Sequence, residues 1–395
     1  MGRSEADRAQ GCVLRRHLAV TVRVSGVSRA NTGVPGRRSH TGAAARVRPR
    51  PPGSFLLAGG RLATGVLEVT DDPAVLDRGG FWAVAMDFEG ALRCVRFADV
   101  RPAPAGGVAA LAQQPWRGPS AHSWTSSLEE AAYVAGARVI REHIAAGDVY
   151  EVNLCRVLSA PLPTAGEAPG RADGGGPAAL AAVLAAGNPA PYAVVLDVPE
   201  ADLRIAGASP ELFLERDGDR VRSGPIKGTG RTERELGPKD VAENVMIVDL
   251  VRNDLGQVAR VGSVTVPALC ALERHPGLVH LVSTVRAELR PGIGWAQLLA
   301  ATSPAGSVSG APKASALRII GELEPVARGP YCGGIGWVDA DRGTGWLSVG
   351  IRTFWFAGGQ LRFGTGAAIT WGSDPQDEWQ ETELKARRLV SLAST

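Results

Sequence analysis

The stretch LRIAGASPELFLERDGDRVRSGPIKGT, residues 203–229, holds two strand-like runs on either side of Asp217-Gly218-Asp219. A glycine turn between such runs reads as a β-hairpin, and a hairpin makes its strands antiparallel neighbours. Working outward, PYAVVLDV (191–198) is a further strand and residues 239–252 form a helix. GSVTVPALCALERHPGLVHLVSTVRAEL (262–289) returns to strand character. Upstream, SLEEAAYVAGARVIREHIAAGDVYEVNLCRVL (127–158) predicts a helix capped by Ser127, ended by Gly147 and Asp148, and followed by a strand. Helices and strands alternate irregularly, so the expected class is α+β with largely antiparallel or mixed sheets.

The chain has 395 residues, of which 45% are hydrophobic and 21% charged, enough for a sizeable core. No apolar run approaches the roughly 18–20 residues that a membrane span requires. Residues 1–52 carry eleven arginines against Glu5 and Asp7, so the net +3 conceals a basic tail on an acidic body. That distribution argues against a nucleic-acid-binding face. The tail reads as a disordered extension; an organelle transit peptide or an overlong start would have the same composition. Residues 53–120 read as a short β-rich N-terminal subdomain and 121–395 as the catalytic domain. PTAGEAPGRADGGGP (163–177) reads as a flexible loop within the latter.

Cys12, Cys94, Cys155, Cys270 and Cys332 are scattered, without CxxC pairs or histidines at metal spacing. This favours a reducing, cytoplasmic setting over a disulfide framework or a zinc site. No dinucleotide fingerprint, P-loop, HExxH or GxSxG occurs, and the cysteine turn of a glutaminase is missing. The chain is not expected to make its own ammonia.

Of 43 basic residues only four are lysines: Lys227, Lys239, Lys313 and Lys385. A lysine kept against that bias suggests a task that an ever-protonated guanidinium cannot perform. Lys227, between Pro225 and Gly228, sits in a constrained backbone; burial there would lower its pKa and suit a nucleophile, while an exposed loop lysine is the bland alternative. Glu211, flanked by Pro210, Leu212 and Phe213, suits a general acid, or is a strand-edge glutamate. Glu243 and Asp249 lie on one helix, and Glu378, Glu381 and Lys385 share a face of another. Such carboxylates suit Mg²⁺, or surface ion pairs; spacing alone does not choose. Glycine-rich turns and Arg352 could bind carboxylates. Tyr331 and His280 could be core residues.

Taken in order, GDVYEVNL, ASPELF, PIKGT, AENVMIVDLVRNDLG, HLVST, GSVSGAPK, YCGGIGW, IRT and SDPQDEWQET resemble the chorismate-utilising enzyme family over roughly residues 128–393. The resemblance implies a sandwich of two large antiparallel β-sheets flanked by helices. Lysine within PIKGT is similar to the branch that makes aminodeoxychorismate, where the anthranilate, isochorismate and salicylate branches ordinarily carry alanine. That similarity implies that Lys227 attacks C2 of chorismate as the C4 hydroxyl leaves, with Glu211 as general acid. Ammonia from a separate glutaminase subunit then adds at C4, feeding 4-aminobenzoate and folate synthesis. By the same resemblance Glu243 and Glu381 hold Mg²⁺, and Arg352, Tyr331 and the amides near Gly366 and Ala367 bind the enolpyruvyl carboxylate. Thr229, His280, Gly310 and Lys385 line the ring site.

Three positions depart from the family pattern. Glu151 stands where the synthases usually have glutamine and the water-adding branches lysine. Ala368 replaces a glycine, and the LLES-type element associated with tryptophan binding is missing, so tryptophan control is not expected. The competing readings are anthranilate synthase and a non-catalytic chorismate-binding subunit; the latter predicts loss of the acids that this chain retains.

Overall fold

The computed structural model describes residues 53–163, 174–230, 232–275 and 278–394; the basic extension and residues 164–173 of the expected loop lie outside them. In chain order the elements are β1 Phe55–Ala58, β2 Arg61–Thr70, β3 Phe81–Met86, β4 Leu92–Pro102, β5 Thr125–Ser126, α1 Glu130–Ala146 and β6 Glu151–Pro161. Then come α2 Gly176–Gly187, β7 Tyr192–Val198, β8 Leu203–Ser209, β9 Leu212–Asp217, β10 Arg220–Gly224, β11 Ile226–Gly230 and α3 Pro238–Gly256. The remainder is β12 Thr265–His275, β13 Leu278–Glu288, α4 Trp295–Thr302, β14 Gly310–Ala311, α5 Lys313–Leu323, β15 Gly334–Asp339, β16 Thr344–Val349, β17 Thr353–Ala357, β18 Gln360–Thr370 and α6 Pro375–Ala393.

The pairings between these strands are antiparallel. One half of the sheet runs β12–β13–β10–β9–β16–β15–β3–β4. The other runs β2–β1–β7–β8–β17–β18–β6. They join through β4 and β2, so the hydrogen-bonded ladder is continuous. The hairpin read at Gly218 is β9–β10, turning on a φ of +60° that glycine adopts without strain.

Side chains alternate in direction along each strand, and the two faces bury against different partners. Leu154, Leu196 and Ile205 pack in one core with Val84, Ile335 and Leu347 of the opposite half. On the outer face, Val195, Ala206, Phe354 and Phe363 pack against Leu180 and Leu184 of α2 and Leu389 of α6. β3 is buried at every residue, which explains its unbroken apolar sequence FWAVAM.

Three expectations are revised. The strands of residues 53–120 are not a layer of their own: β1 pairs with β7 and β3 with β15, because their backbone groups complete both halves of the ladder. Gly176 and Pro177, expected within the flexible loop, begin α2 and are buried. Ser127 does not cap α1; the cap position is Glu129, and the Ser127 hydroxyl accepts the Val157 amide at 2.9 Å. α1 does end at Gly147, in the left-handed conformation. Among the described residues no helix is long and apolar enough to cross a membrane.

Candidate active site

Lys227 lies where β11 loses register with β13. Ile226 faces Val282 and Thr229 faces His280, so one extra residue is accommodated at Lys227-Gly228. A bulge of this kind re-aims the side chain beside it. Gly228 has φ +85°, and a Cβ there would meet the Asp240 Cβ at 2.8 Å, so both conformation and space demand glycine. Asn244 of α3 braces this segment, donating to the Leu281 carbonyl at 3.0 Å and the Lys227 carbonyl at 3.4 Å.

The Lys227 side chain is 12% exposed and places Nζ 3.0 Å from Oε1 of Glu151, the fully buried first residue of β6. Gly310 of β14 packs behind it so closely that a Cβ would lie 2.2 Å from the Glu151 carbonyl oxygen. The expectation of a lowered lysine pKa is corrected here. Burial alone would push the amine down, but Glu151, Glu243 and Glu211 outweigh it and hold Lys227 above the ordinary lysine range. At neutral pH it is an ammonium ion.

Glu211 occupies the corner between β8 and β9 and is 4% exposed. Its amide donates to Ser209 Oγ at 3.2 Å and its carbonyl accepts the Val349 amide at 3.1 Å, which fixes the corner. Burial raises its carboxyl to about 7, against the opposing pull of Ser307, Lys227 and the Ile226 amide. A carboxyl in that range can both hold and give a proton at neutral pH.

Acids from α3 and α6 meet across Lys239, whose Nζ stands 3.7 Å from Glu243 Oε1 and 3.5 Å from Glu378 Oε1. Burial raises both carboxyls, only partly offset by neighbouring cations. Glu381 is lowered despite its burial, because Lys385 lies 2.6 Å away and Lys227 and Lys239 add to the pull. Hard oxygen donors carrying excess negative charge fit Mg²⁺ with water and substrate completing its shell. Among the described residues no three acidic, histidine or cysteine side chains stand close enough to hold a metal unaided. The fourth lysine, Lys313, pairs with Asp254 at 2.7 Å, and Asp254 shares a small recess with Glu211 and Ser307.

The remaining predicted residues are distributed as follows. Arg352 has φ +51°, and its carbonyl accepts the Ala208 amide three residues before Glu211, so the two share one end of adjacent strands. No ion pair or hydrogen bond of its guanidinium appears among the described residues. Tyr331 is buried against Gly364, with its hydroxyl 3.9 Å from Cys155 Sγ. Gly366 and Ala367 lie within the ladder opposite Cys155 and Leu154, and the Gly366 carbonyl accepts Lys385 Nζ at 3.0 Å. His280 is buried on β13 opposite Thr229. A wide concavity of about 830 Å³, lined by residues such as Arg93, Arg204, Trp355 and Phe356, contains none of these residues.

Residues 100–391 match the family profile described as chorismate binding enzyme. The chain belongs to that family. It is 41% identical over 280 residues to anthranilate synthase component 1 of Streptomyces coelicolor, covering 68% of this chain and 52% of the relative. It is 35% identical over 279 residues to aminodeoxychorismate synthase component 1 of Bacillus subtilis, covering 68% and 56%. The chain spans about half the length of these curated relatives. A 2,3-dihydroxybenzoate-specific isochorismate synthase from Bacillus anthracis shares the fold, with a TM-score of 0.70 and 23% identity over 87% of this chain and 97% of that one.

Within this chain, the sequence assigned no role to Glu151, Ser307 or Asn244, all of which the fold brings to the site, whereas Glu378 was among the carboxylates read as candidates for Mg²⁺. Glu151 carried the one available signal, an acid in place of the family's glutamine. Asn244 and Ser307 carried none, since their partners Leu281 and Glu211 are far away in the chain.

Proposed function

We propose that this chain is an aminodeoxychorismate synthase component I, converting chorismate and ammonia to 4-amino-4-deoxychorismate in the cytoplasm, for 4-aminobenzoate and folate synthesis. The observation that carries the reading is Lys227: the PIKGT lysine is buried on a bulged strand among Glu151, Glu211 and Glu243. A lysine can give up its proton and attack carbon, which arginine cannot. In this reading its amine attacks C2 of the ring while Glu211 protonates the departing C4 hydroxyl. Ammonia then adds at C4 and expels the amine.

Glu243 and Glu381 would hold Mg²⁺, which when bound neutralises the ring carboxylate. Arg352, whose guanidinium has no partner among the described residues, would take the enolpyruvyl carboxylate, with Tyr331 and the Gly366 and Ala367 backbone beside it. His280, Thr229, Gly310 and Lys385 would border the ring. The ammonia would come from a separate glutamine amidotransferase subunit.

A second reading, anthranilate synthase component I, is favoured by the names of several relatives, including that of Streptomyces coelicolor. Product identity separates the two. The purified chain, given chorismate, Mg²⁺ and an ammonium salt, should release aminodeoxychorismate without pyruvate; anthranilate with pyruvate would establish the second reading.

A further inference from the structure

Reading Lys227 as the nucleophile leaves a step unassigned, because an ammonium ion has no lone pair with which to attack carbon. Glu151, Glu211, Glu243 and Glu381 all bear on it, the last at the proposed metal position. Glu211 must keep its proton until the C4 hydroxyl leaves, and Glu243 faces Lys239 and the proposed metal position. Glu151 has neither duty. Its Oε1 lies 3.0 Å from Nζ, and its buried Oε2 has no hydrogen-bond partner among the described residues. A buried carboxylate with an unsatisfied oxygen is costly to maintain unless that oxygen has a use.

We propose that Glu151 is the proton acceptor that converts Lys227 from ammonium to free amine, and the donor that restores the ammonium when the amine is expelled. The proposal rests on the reading of Lys227 as nucleophile and deepens it. In the first transfer an N–H bond of Lys227 breaks and an O–H bond forms on Glu151. Rotation of the amine about Cε–Nζ then turns its lone pair from Glu151 toward the ring.

The N–C2 bond then forms, the ring double bonds shift toward C4, and the C4–O bond breaks, with the Glu211 proton completing a water molecule. Attack of ammonia at C4 reverses the shift and releases neutral amine, which recovers its proton from Glu151. The new C4 ammonium returns a proton to Glu211. The net change is loss of water and gain of ammonia, with both glutamates restored. Glutamine at position 151 could accept a hydrogen bond from Nζ but could not store its proton.

The test is steady-state amination by the full chain and its Glu151→Gln and Glu151→Asp variants across pH, alongside Lys227→Ala. Native amination that Lys227→Ala leaves intact overturns the lysine reading itself, whatever Glu151 does. Where Lys227→Ala abolishes amination, Glu151→Gln should lower kcat about 100-fold or more, the usual scale for removing a general base, with little change in KM for chorismate. Its rate should climb with pH up to about 7 and then hold level where the native rate falls, because solvent deprotonation of Lys227 offsets the loss of the Glu211 proton; Lys227 also feels Glu243 on α3 and Glu381 on α6. Glu151→Asp retains a carboxylate and should recover part of kcat with the native pH profile. Native kcat in Glu151→Gln, a change confined to KM, or equal losses in both variants would overturn the assignment.

Discussion

The ammonium of Lys239 on α3 stands 3.5 Å from Glu378 Oε1 on α6, at the meeting point of the acids from the two helices. It occupies space where a divalent cation would be drawn, and it is half-exposed, so its hold on either carboxylate is weak. Lys239→Met removes this competitor. The half-saturating Mg²⁺ concentration should fall by up to roughly fivefold, the equivalent of about 1 kcal/mol for one screened ion pair. Activity measured against Mg²⁺ concentration checks this.

Glu211 should show opposite effects on activity and stability. Its carboxyl titrates at about 7 in the folded chain against 4.5 unfolded, so the fold favours the protonated form. The associated stability is fully present below 4.5 and is lost as pH rises through 7. Glu211→Gln should therefore raise the melting temperature at pH 8, with an upper limit of roughly 3 kcal/mol from the shift. It should also lower kcat by about 10²- to 10⁴-fold. In the native chain, activity should fall on the alkaline side with an apparent pKa near 7.

The Asp254–Lys313 pair ties α3 to α5, and Lys313 also donates to the Thr302 carbonyl at 3.3 Å. Burial raises the Asp254 carboxyl to about 6 even beside Lys313. Asp254→Asn leaves a largely buried ammonium without its counter-ion and should destabilise the chain by about 3 kcal/mol. Adding Lys313→Met should recover most of that loss. Urea unfolding of the single and double variants measures both.

The parts legible in the sequence were those set by neighbouring residues. Gly218 marks its hairpin and Gly147 ends α1, because each signal acts within a few positions. Long-range competition was not legible. Ser127 has the chemistry of a helix cap, but the Val157 amide on β6 takes its hydroxyl. The constrained backbone at Lys227 was legible but left its burial open, and the direction of its pKa shift depends on carboxylates from β6, the β8–β9 corner and α3. These elements meet only in the folded chain. Glu151 precedes Lys227 by 76 residues, and the fold sets their side chains 3.0 Å apart.

The central claim is that the Lys227 amine forms a bond to the substrate. The most direct measurement is the rate of aminodeoxychorismate formation from chorismate, Mg²⁺ and ammonium by the native chain, Lys227→Ala and Lys227→Arg, each checked for folding by thermal unfolding. The account predicts product from the native chain and loss in both folded variants, since neither alanine nor a permanently protonated guanidinium can attack C2. Undiminished amination by folded Lys227→Ala would contradict it.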